Sequence, residues 1–407
     1  MGDSRGPKIA GSSERILIPG TGIELPVDFD LSRRDMLKIA GYGSLAAFIA
    51  ACGGTTPTTT SGSVTAKGGS MSIGSYLSDA VPKKGLQDVV DAFTSANGGT
   101  KVKVNTVDHG TFQNTINNYL QATPEDIFTW FSGHRMRFFA KKGLAQPIDD
   151  VWNDVKSNFT EGFAASVKGD DGHVYAVPTS YYPWAIFYRK DVFTARNYKI
   201  PTNWDDFIKL CQQMKKDNLI PMAFADWQEA AQQLRQKKAG MYLLGLFVSE
   251  QFVSGGNADD INQLDFFPFP DLGTQYDSEK ALDAPIDVYM LAKKSPTLGT
   301  DSGQAKAFLE FMSKGSSQIT YWKASPGAIP TANDADPSQY PALTKKAAQI
   351  VSGAKRITQF FDRDSRPDFS GPNAMQGFLL RYLSSPKQDT SSLQGQMQSF
   401  WDSLTPE

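Results

Sequence analysis

Residues 101–131 read KVKVNTVDHGTFQNTINNYLQATPEDIFTWF. The opening KVKVNTV alternates valine with polar residues, the period-two pattern of a half-buried strand. Residues 111–120 read as a helix with Thr111 as a candidate N-cap. The closing DIFTWF (126–131) is a buried strand. Upstream, MSIGSY (71–76) is another short strand, and residues 86–96 carry Leu86, Val89, Val90 and Phe93 on one helix face. Strand, helix, strand, helix, strand at this spacing predicts an α/β lobe with a largely parallel sheet. A helix over 136–142 and a turn at Gly143 follow.

The pattern continues with less regularity. Strands over 174–178 and 185–188 flank an aromatic turn, Tyr181-Tyr182-Pro183-Trp184. A helix opens at 201–206, with Thr202 or Asn203 as its cap. Residues 219–224 read as a strand, and Asp226-Trp227-Gln228-Glu229 has the form of a capping box ahead of a helix to about Lys238. Residues 239–248 are a strand and turn, 286–292 a strand, and 302–313 a helix with Ala307, Phe308 and Phe311 on its apolar face. The tail, 341–404, reads as mostly helical, and no internal repeat stands out.

Near the start, Ser32-Arg33-Arg34-Asp35-Met36-Leu37-Lys38 precedes an apolar run ending Ile49-Ala50-Ala51-Cys52. Residues 39–51 would span roughly 20 Å as a helix, short of the ~30 Å of a hydrocarbon core. Arg33 and Arg34 therefore resemble a twin-arginine export signal, and Ile-Ala-Ala-Cys resembles a bacterial lipobox that would leave a lipid on Cys52. Residues 53–70, GGTTPTTTSGSVTAKGGS, are too polar to form a core and read as a tether with a reach of about 23 Å.

Removing residues 1–51 leaves 356 residues and, because it takes equal numbers of acidic and basic side chains, keeps the net charge at −2. No basic excess exists to hold nucleic acid or an anionic membrane surface. Of the two cysteines, Cys52 belongs to the lipobox, and Cys211 lies in a helix-like stretch as a small apolar side chain. Three histidines, none at ligand spacing, argue against a zinc site. Aromatic residues make up 12% of the chain, and several cluster in loop-like segments.

Several segments together resemble the extracellular solute-binding proteins of ABC importers, in the carbohydrate-binding group that is maltose-binding-protein-like. They are 124–130 (PEDIFTW), 143–148 (GLAQPI), 185–191 (AIFYRKD), 204–207 (WDDF), 237–241 (KKAGM), 305–312 (AKAFLEFM) and 327–331 (GAIPT). The resemblance implies an α/β, two-lobed periplasmic-binding-protein-like fold, each lobe a mixed sheet flanked by helices, joined by crossing hinge segments. It implies an N-terminal lobe from 71–178 with about 284–325, and a C-terminal lobe from 179–283 with about 326–407. In relatives several tens of residues separate the segments like 219–224 and 227–238, so either the second lobe is trimmed near 224–227 or the sequence is an internally deleted version of a longer one.

The resemblance also implies a ligand cleft. Trp130 falls where the family places a stacking aromatic, with Phe131, Gly133 and His134 in the same loop. Tyr182 matches a polar ligand contact, with Tyr181 and Trp184 beside it. Gly245 and Phe247 match a Gly-x-Trp turn, with phenylalanine in place of the stacking indole. Ser78 and Asp79 fall where polar contacts arise, and Gln113 and Asp287 complete the candidate set. The chemistry is independent of the family: a pyranose has an apolar C–H face for flat rings and a rim of hydroxyls for carboxylates and amides. Ligands of open α/β sheets bind beyond the carboxyl ends of strands.

The resulting expectation is a monomeric, non-enzymatic lipoprotein, with no cofactor, outside the cell membrane, that captures a sugar or oligosaccharide for permease subunits. Two other classes stay open. Adjacent Tyr181 and Tyr182 resemble the paired tyrosinates of ferric-ion-binding relatives. An exported glycoside hydrolase would need two carboxyls roughly 5–9.5 Å apart across the cleft. Asp149-Asp150 and Asp259-Asp260 are adjacent pairs, and no nucleophile elbow is present.

Overall fold

The computed structural model describes residues 15–17, 24–26, 68–255, 258–294, 303–354, 356–361, 363–371, 374–385 and 389–404. Arg33, Arg34, Cys52 and the tether as far as residue 67 lie outside them. Residues 1–62 and 63–407 form separate compact units. In the first, strands β1 (Arg15–Leu17) and β2 (Glu24–Pro26) pair antiparallel.

In the second unit the strands are, in chain order, β3 (Ser70–Ser75), β4 (Lys101–Thr106), β5 (Ile127–Phe131), β6 (Ala176–Tyr181), β7 (Trp184–Arg189), β8 (Ile220–Met222) and β9 (Ala239–Gly245). They continue with β10 (Leu264–Phe267), β11 (Ala281–Asp283), β12 (Ile286–Leu291), β13 (Ile329–Pro330) and β14 (Arg356–Thr358). The first lobe is built on a six-stranded sheet, β13-β6-β12-β5-β3-β4. The sequence pattern led to a largely parallel sheet, but only β4, β3 and β5 run parallel. β12 enters antiparallel between β5 and β6 after the chain has visited the other lobe. Local periodicity cannot foresee such a return.

The second sheet, β10-β7-β9-β8, is also mixed. β7 runs antiparallel to β9 and β10, and β8 parallel to β9. Alternate hydrophobic residues of both faces are buried, which agrees with helices on each side. One core joins residues 71–177 with 286–312, around Phe93, Phe128, Phe139 and Phe308. Two further clusters serve the second sheet, around Phe187, Phe252 and Phe266 and around Ile186 and Met214. Cys211 is half-buried against the latter.

Helix starts follow cap chemistry. The N-cap of helix His109–Gln121 is Asp108, whose carboxylate accepts from the Thr111 amide, so Thr111 is the capped residue rather than the cap. Asn203 caps Trp204–Lys216, and Asp226 caps Trp227–Arg235 by accepting from the Gln228 and Glu229 amides. The compact junction between β8 and that helix leaves Phe224 81% exposed beside a three-residue edge strand. The mostly helical tail also contains β14, which pairs parallel with β11 as a separate two-stranded sheet.

The crossings between lobes are tied by a buried amide. Gln318 Nε2 donates to the carbonyls of Pro178 (3.2 Å) and Met312 (3.1 Å). Its Oε1 accepts from the amides of Thr331 (2.7 Å) and Ala332 (2.9 Å). One side chain thus satisfies backbone groups of β6 and of the segment leaving β13, where both cross between lobes.

Candidate functional site

A β-bulge begins the site. Pairing of β12 with β6 shifts register between Asp287 and Val288, opposite Ser180 and Pro178, and leaves Thr179 out of the ladder. Pro178 has no N–H for an interior strand, so a bulge is where it is tolerated. Thr179 Oγ1 donates to the Asp287 carbonyl at 3.2 Å. The Asp287 carboxylate joins the lining of a cavity of about 20 Å³ shared with Tyr76, Thr129, Ser180, Tyr289 and Tyr321. Such a space holds a water and not a pyranose. The Tyr289 hydroxyl in its wall has no partner among the described residues.

Asp287 is surrounded by hydroxyls and one guanidinium. Tyr182 OH donates to its Oδ1 at 3.4 Å. Burial pushes the carboxyl up to about 6, while the Arg363 charge and hydrogen bonds from Tyr76, Tyr182 and Ser180 pull the other way. The Tyr182 hydroxyl also meets Arg363, and burial foremost holds its pKa well above the ordinary value. Arg363 is 6% exposed, with its guanidinium carbon 3.3 Å from the centre of the Phe131 ring.

The rings come from both lobes. Tyr182 meets Phe247 edge to face at 5.2 Å, and Phe247 also touches Trp184 (6.3 Å) and Trp227 (5.8 Å). Gly245 makes this possible: a Cβ there would lie 2.4 Å from the Phe247 ring and 3.0 Å from Tyr182. Trp184 packs on Phe360 at 4.7 Å, and its buried Nε1–H has no partner among the described residues. Across the lobes, Gln228 Nε2 donates to Asp79 Oδ1 at 2.8 Å. Ser78 Oγ accepts from the His109 amide at 3.2 Å, while the His109 ring meets Tyr76 edge to face at 4.9 Å.

Several expected residues go elsewhere. Trp130, expected to stack on ligand, is fully buried in the first core against Phe139 (5.4 Å) and Phe112 (6.3 Å), with Nε1 donating to the Arg135 carbonyl at 3.2 Å. The next residue, Phe131, is equally buried in the same core and packs on the Trp130 ring at 4.8 Å, and it also meets Tyr76 and Arg363. Tyr181 packs on Phe163 at 5.3 Å while Tyr182 turns to Asp287, so the adjacent phenols do not converge, and burial raises both pKa values. No cluster of three or more His, Cys, Asp or Glu able to hold a metal occurs among the described residues.

Gln113 lies at a separate groove of about 830 Å³, where its Oε1 accepts from Arg135 at 2.6 Å. His134 is the first residue of helix His134–Lys141. Gly133 has φ +71°, and a Cβ there would sit 2.5 Å from the Gln359 amide nitrogen.

Sequence reasoning missed Tyr76, Glu250, Phe360 and Arg363. Glu250 is buried in helix Val248–Gly255 and accepts from the Ser325 hydroxyl; burial raises its carboxyl to about 7. Arg363 comes from a tail read only as helical. No local pattern marks its return, some 230 residues later, to the end of β5.

The profile of the bacterial extracellular solute-binding proteins matches residues 78–318. The solved solute receptor AcbH, described as exclusively preferring β-D-galactopyranose, superposes with a TM-score of 0.74 at 31% identity, covering 82% of this chain and 98% of that one. A chitin oligosaccharide binding protein shares the fold at 18% identity, with a TM-score of 0.68 over 82% of this chain and 98% of its own.

Curated relatives match over shorter stretches. An uncharacterised ABC transporter extracellular-binding protein of Pyrococcus horikoshii is 34% identical over 96 residues, 23% of this chain and 22% of the relative. The multiple sugar-binding protein of Streptococcus mutans is 30% identical over 73 residues, 18% and 16% of the two chains. The matched region therefore spans no more than about a quarter of either relative. These similar proteins are described as receptors and binding proteins. The family profile spans more than half of the chain, and the two-sheet fold carries the cleft residues at one end: this chain belongs to the bacterial extracellular solute-binding proteins.

Proposed function

We propose that this chain is the capture component of an ABC importer and that its ligand is a sugar. The observation that carries this reading is a chain of contacts across the lobes: Tyr182 bonds Asp287 and meets Phe247, Phe247 meets Trp184, and Arg363 covers the buried Phe131. Flat rings suit the C–H face of a pyranose, and the carboxylate, guanidinium and phenol suit its hydroxyls. The preference described for AcbH, a galactopyranose, at 31% identity over nearly its whole length, supports the class.

With room for only a water beside Asp287, ligand enters a more open arrangement of the lobes. Capture then favours closure because the sugar bonds to both sides at once. The Asp79–Gln228 bond is the contact that closure re-forms. No bond of the ligand is made or broken, so the protein acts as a carrier and not as an enzyme. Export by the Arg33-Arg34 signal and a lipid on Cys52 would keep the receptor at the outer face of the membrane beside its permease, acting as a monomer.

A thermal-shift screen against neutral mono- and disaccharides tests the reading, because a ligand raises the melting temperature by mass action. A rise with at least one sugar is expected; no rise with any of them overturns it. For the anchor, Cys52→Ser should release the protein from the membrane fraction of expressing cells.

A further inference from the structure

We infer that Asp287 and Arg363 form a charge-balanced pair that makes the cleft select neutral sugars and reject sugar acids. This rests on the sugar-binding reading and goes one step further, to the substrate class.

The geometry is specific. Asp287 lines the cavity beneath the cleft, and the Tyr182 hydroxyl contacts its Oδ1 at 3.4 Å. Arg363 lies flat on Phe131, 3.3 Å from the ring centre, and is almost fully withdrawn from water. A guanidinium in that position cannot shed its charge, so its compensation must come from nearby acids. The charged groups facing the pair come from different elements. Glu250, in helix Val248–Gly255, feels both Asp287 and Asp79, the latter at the N-cap of helix Ala80–Ala96, and Arg135 lies over the Phe131 ring, 5.4 Å from its centre. The phenols of Tyr76, Tyr289 and Tyr321 complete the surroundings and are neutral.

A neutral sugar enters this setting without disturbing the balance. A hexuronate would bring a second carboxylate against Asp287 in a poorly solvated space, where like charges repel strongly. Asp287 is therefore the residue that excludes acidic sugars, and Arg363 is the cation that would otherwise welcome them. The direction of the Asp287 shift agrees, since it ties the exclusion to a carboxylate that protonates in mildly acid solution.

The test titrates the purified protein with D-galactose, D-glucose, D-galacturonate and D-glucuronate by calorimetry. Wild type at about pH 7.5 should bind a neutral hexose and discriminate against the matching uronate by at least tenfold. Asp287→Asn should gain affinity for the uronate and narrow the ratio by about tenfold, and Asp287→Asn with Arg363→Gln should lose that gain. If Asp287→Asn fails to fold, wild type at about pH 5 gives the same reading, because protonated Asp287 should admit the uronate.

An unchanged ratio in a folded Asp287→Asn that still binds the neutral hexose overturns the inference alone, as does wild type binding the uronate as tightly as the hexose. No binding of any of the four, together with no response in the broader sugar screen, overturns the sugar-binding reading as well.

Discussion

The Tyr182 hydroxyl donates to Asp287 Oδ1 at 3.4 Å, joining a ring packed in the core of the second lobe to a carboxylate on the first lobe's sheet. The two residues are 105 positions apart in sequence, and the bond crosses the line along which the lobes would part. A side chain of the candidate site thus also bonds one lobe to the other.

Tyr182→Phe should keep the edge-to-face packing on Phe247 and lose only the hydroxyl. We expect stability to fall by about 1 kcal/mol, the usual net worth of one hydrogen bond, and ligand affinity to fall by roughly tenfold. Urea denaturation and calorimetry separate the two; full affinity in the variant would remove Tyr182 from the site.

Gly245→Ala places a methyl 2.4 Å from the Phe247 ring. The ring must leave its contact with Tyr182, so overpacking should cost about 1–3 kcal/mol and weaken binding together. Intact binding with an unchanged melting temperature would show that the ring moves freely.

Trp130 and Phe131 are both fully buried, so their truncations should differ in binding rather than in stability. Trp130→Ala removes a core ring and should cost about 3–5 kcal/mol in stability, with affinity in the folded fraction nearly unchanged. Phe131→Ala removes the platform under Arg363 and should lower affinity by about tenfold or more. Paired melts and titrations of the two variants give the comparison.

Stability should rise as pH falls through the neutral range. Asp287 and Glu250 have folded-state values raised to about 6 and about 7, so the folded protein holds their protons more tightly than the unfolded chain does. Ionising them costs stability, and the cost is relieved as pH falls from about 7 towards the ordinary carboxylate range near 4. Asp150 and Asp191, whose values are lowered, begin to lose their contribution only on further acidification. Melting temperature against pH checks this, and Glu250→Gln should flatten the upper part of the curve.

Gln318→Ala leaves the Pro178 and Met312 carbonyls and the Thr331 and Ala332 amides without this partner inside the hinge. A loss of about 3 kcal/mol is expected from chemical denaturation, since buried backbone groups left unpaired carry their full desolvation cost.

Much of the architecture was legible because burial imprints short periods on the chain. The alternation in KVKVNTV, the apolar run DIFTWF and the caps at Asn203 and Asp226 each reflect neighbours a few residues away. Tyr182, Trp184, Gly245 and Phe247 were named from an aromatic cluster and from family resemblance, and they lie together in the structure. Trp130 misled because no local signal says whether a ring at the end of a strand is taken up by the core.

What the sequence determined by itself is the alternation of strands and helices, and with it an α/β lobe, since that pattern depends only on local spacing and hydrophobicity; the second lobe followed from the family resemblance. What tertiary structure alone decided is which side chains meet. β12 inserts antiparallel beside β5, a bulge at Thr179 accompanies the turn of Asp287 into the cavity, and a tail residue, Arg363, comes to rest on Phe131. Those contacts join positions 108 to 232 residues apart, and the free energy that selects them belongs to the packed core as a whole.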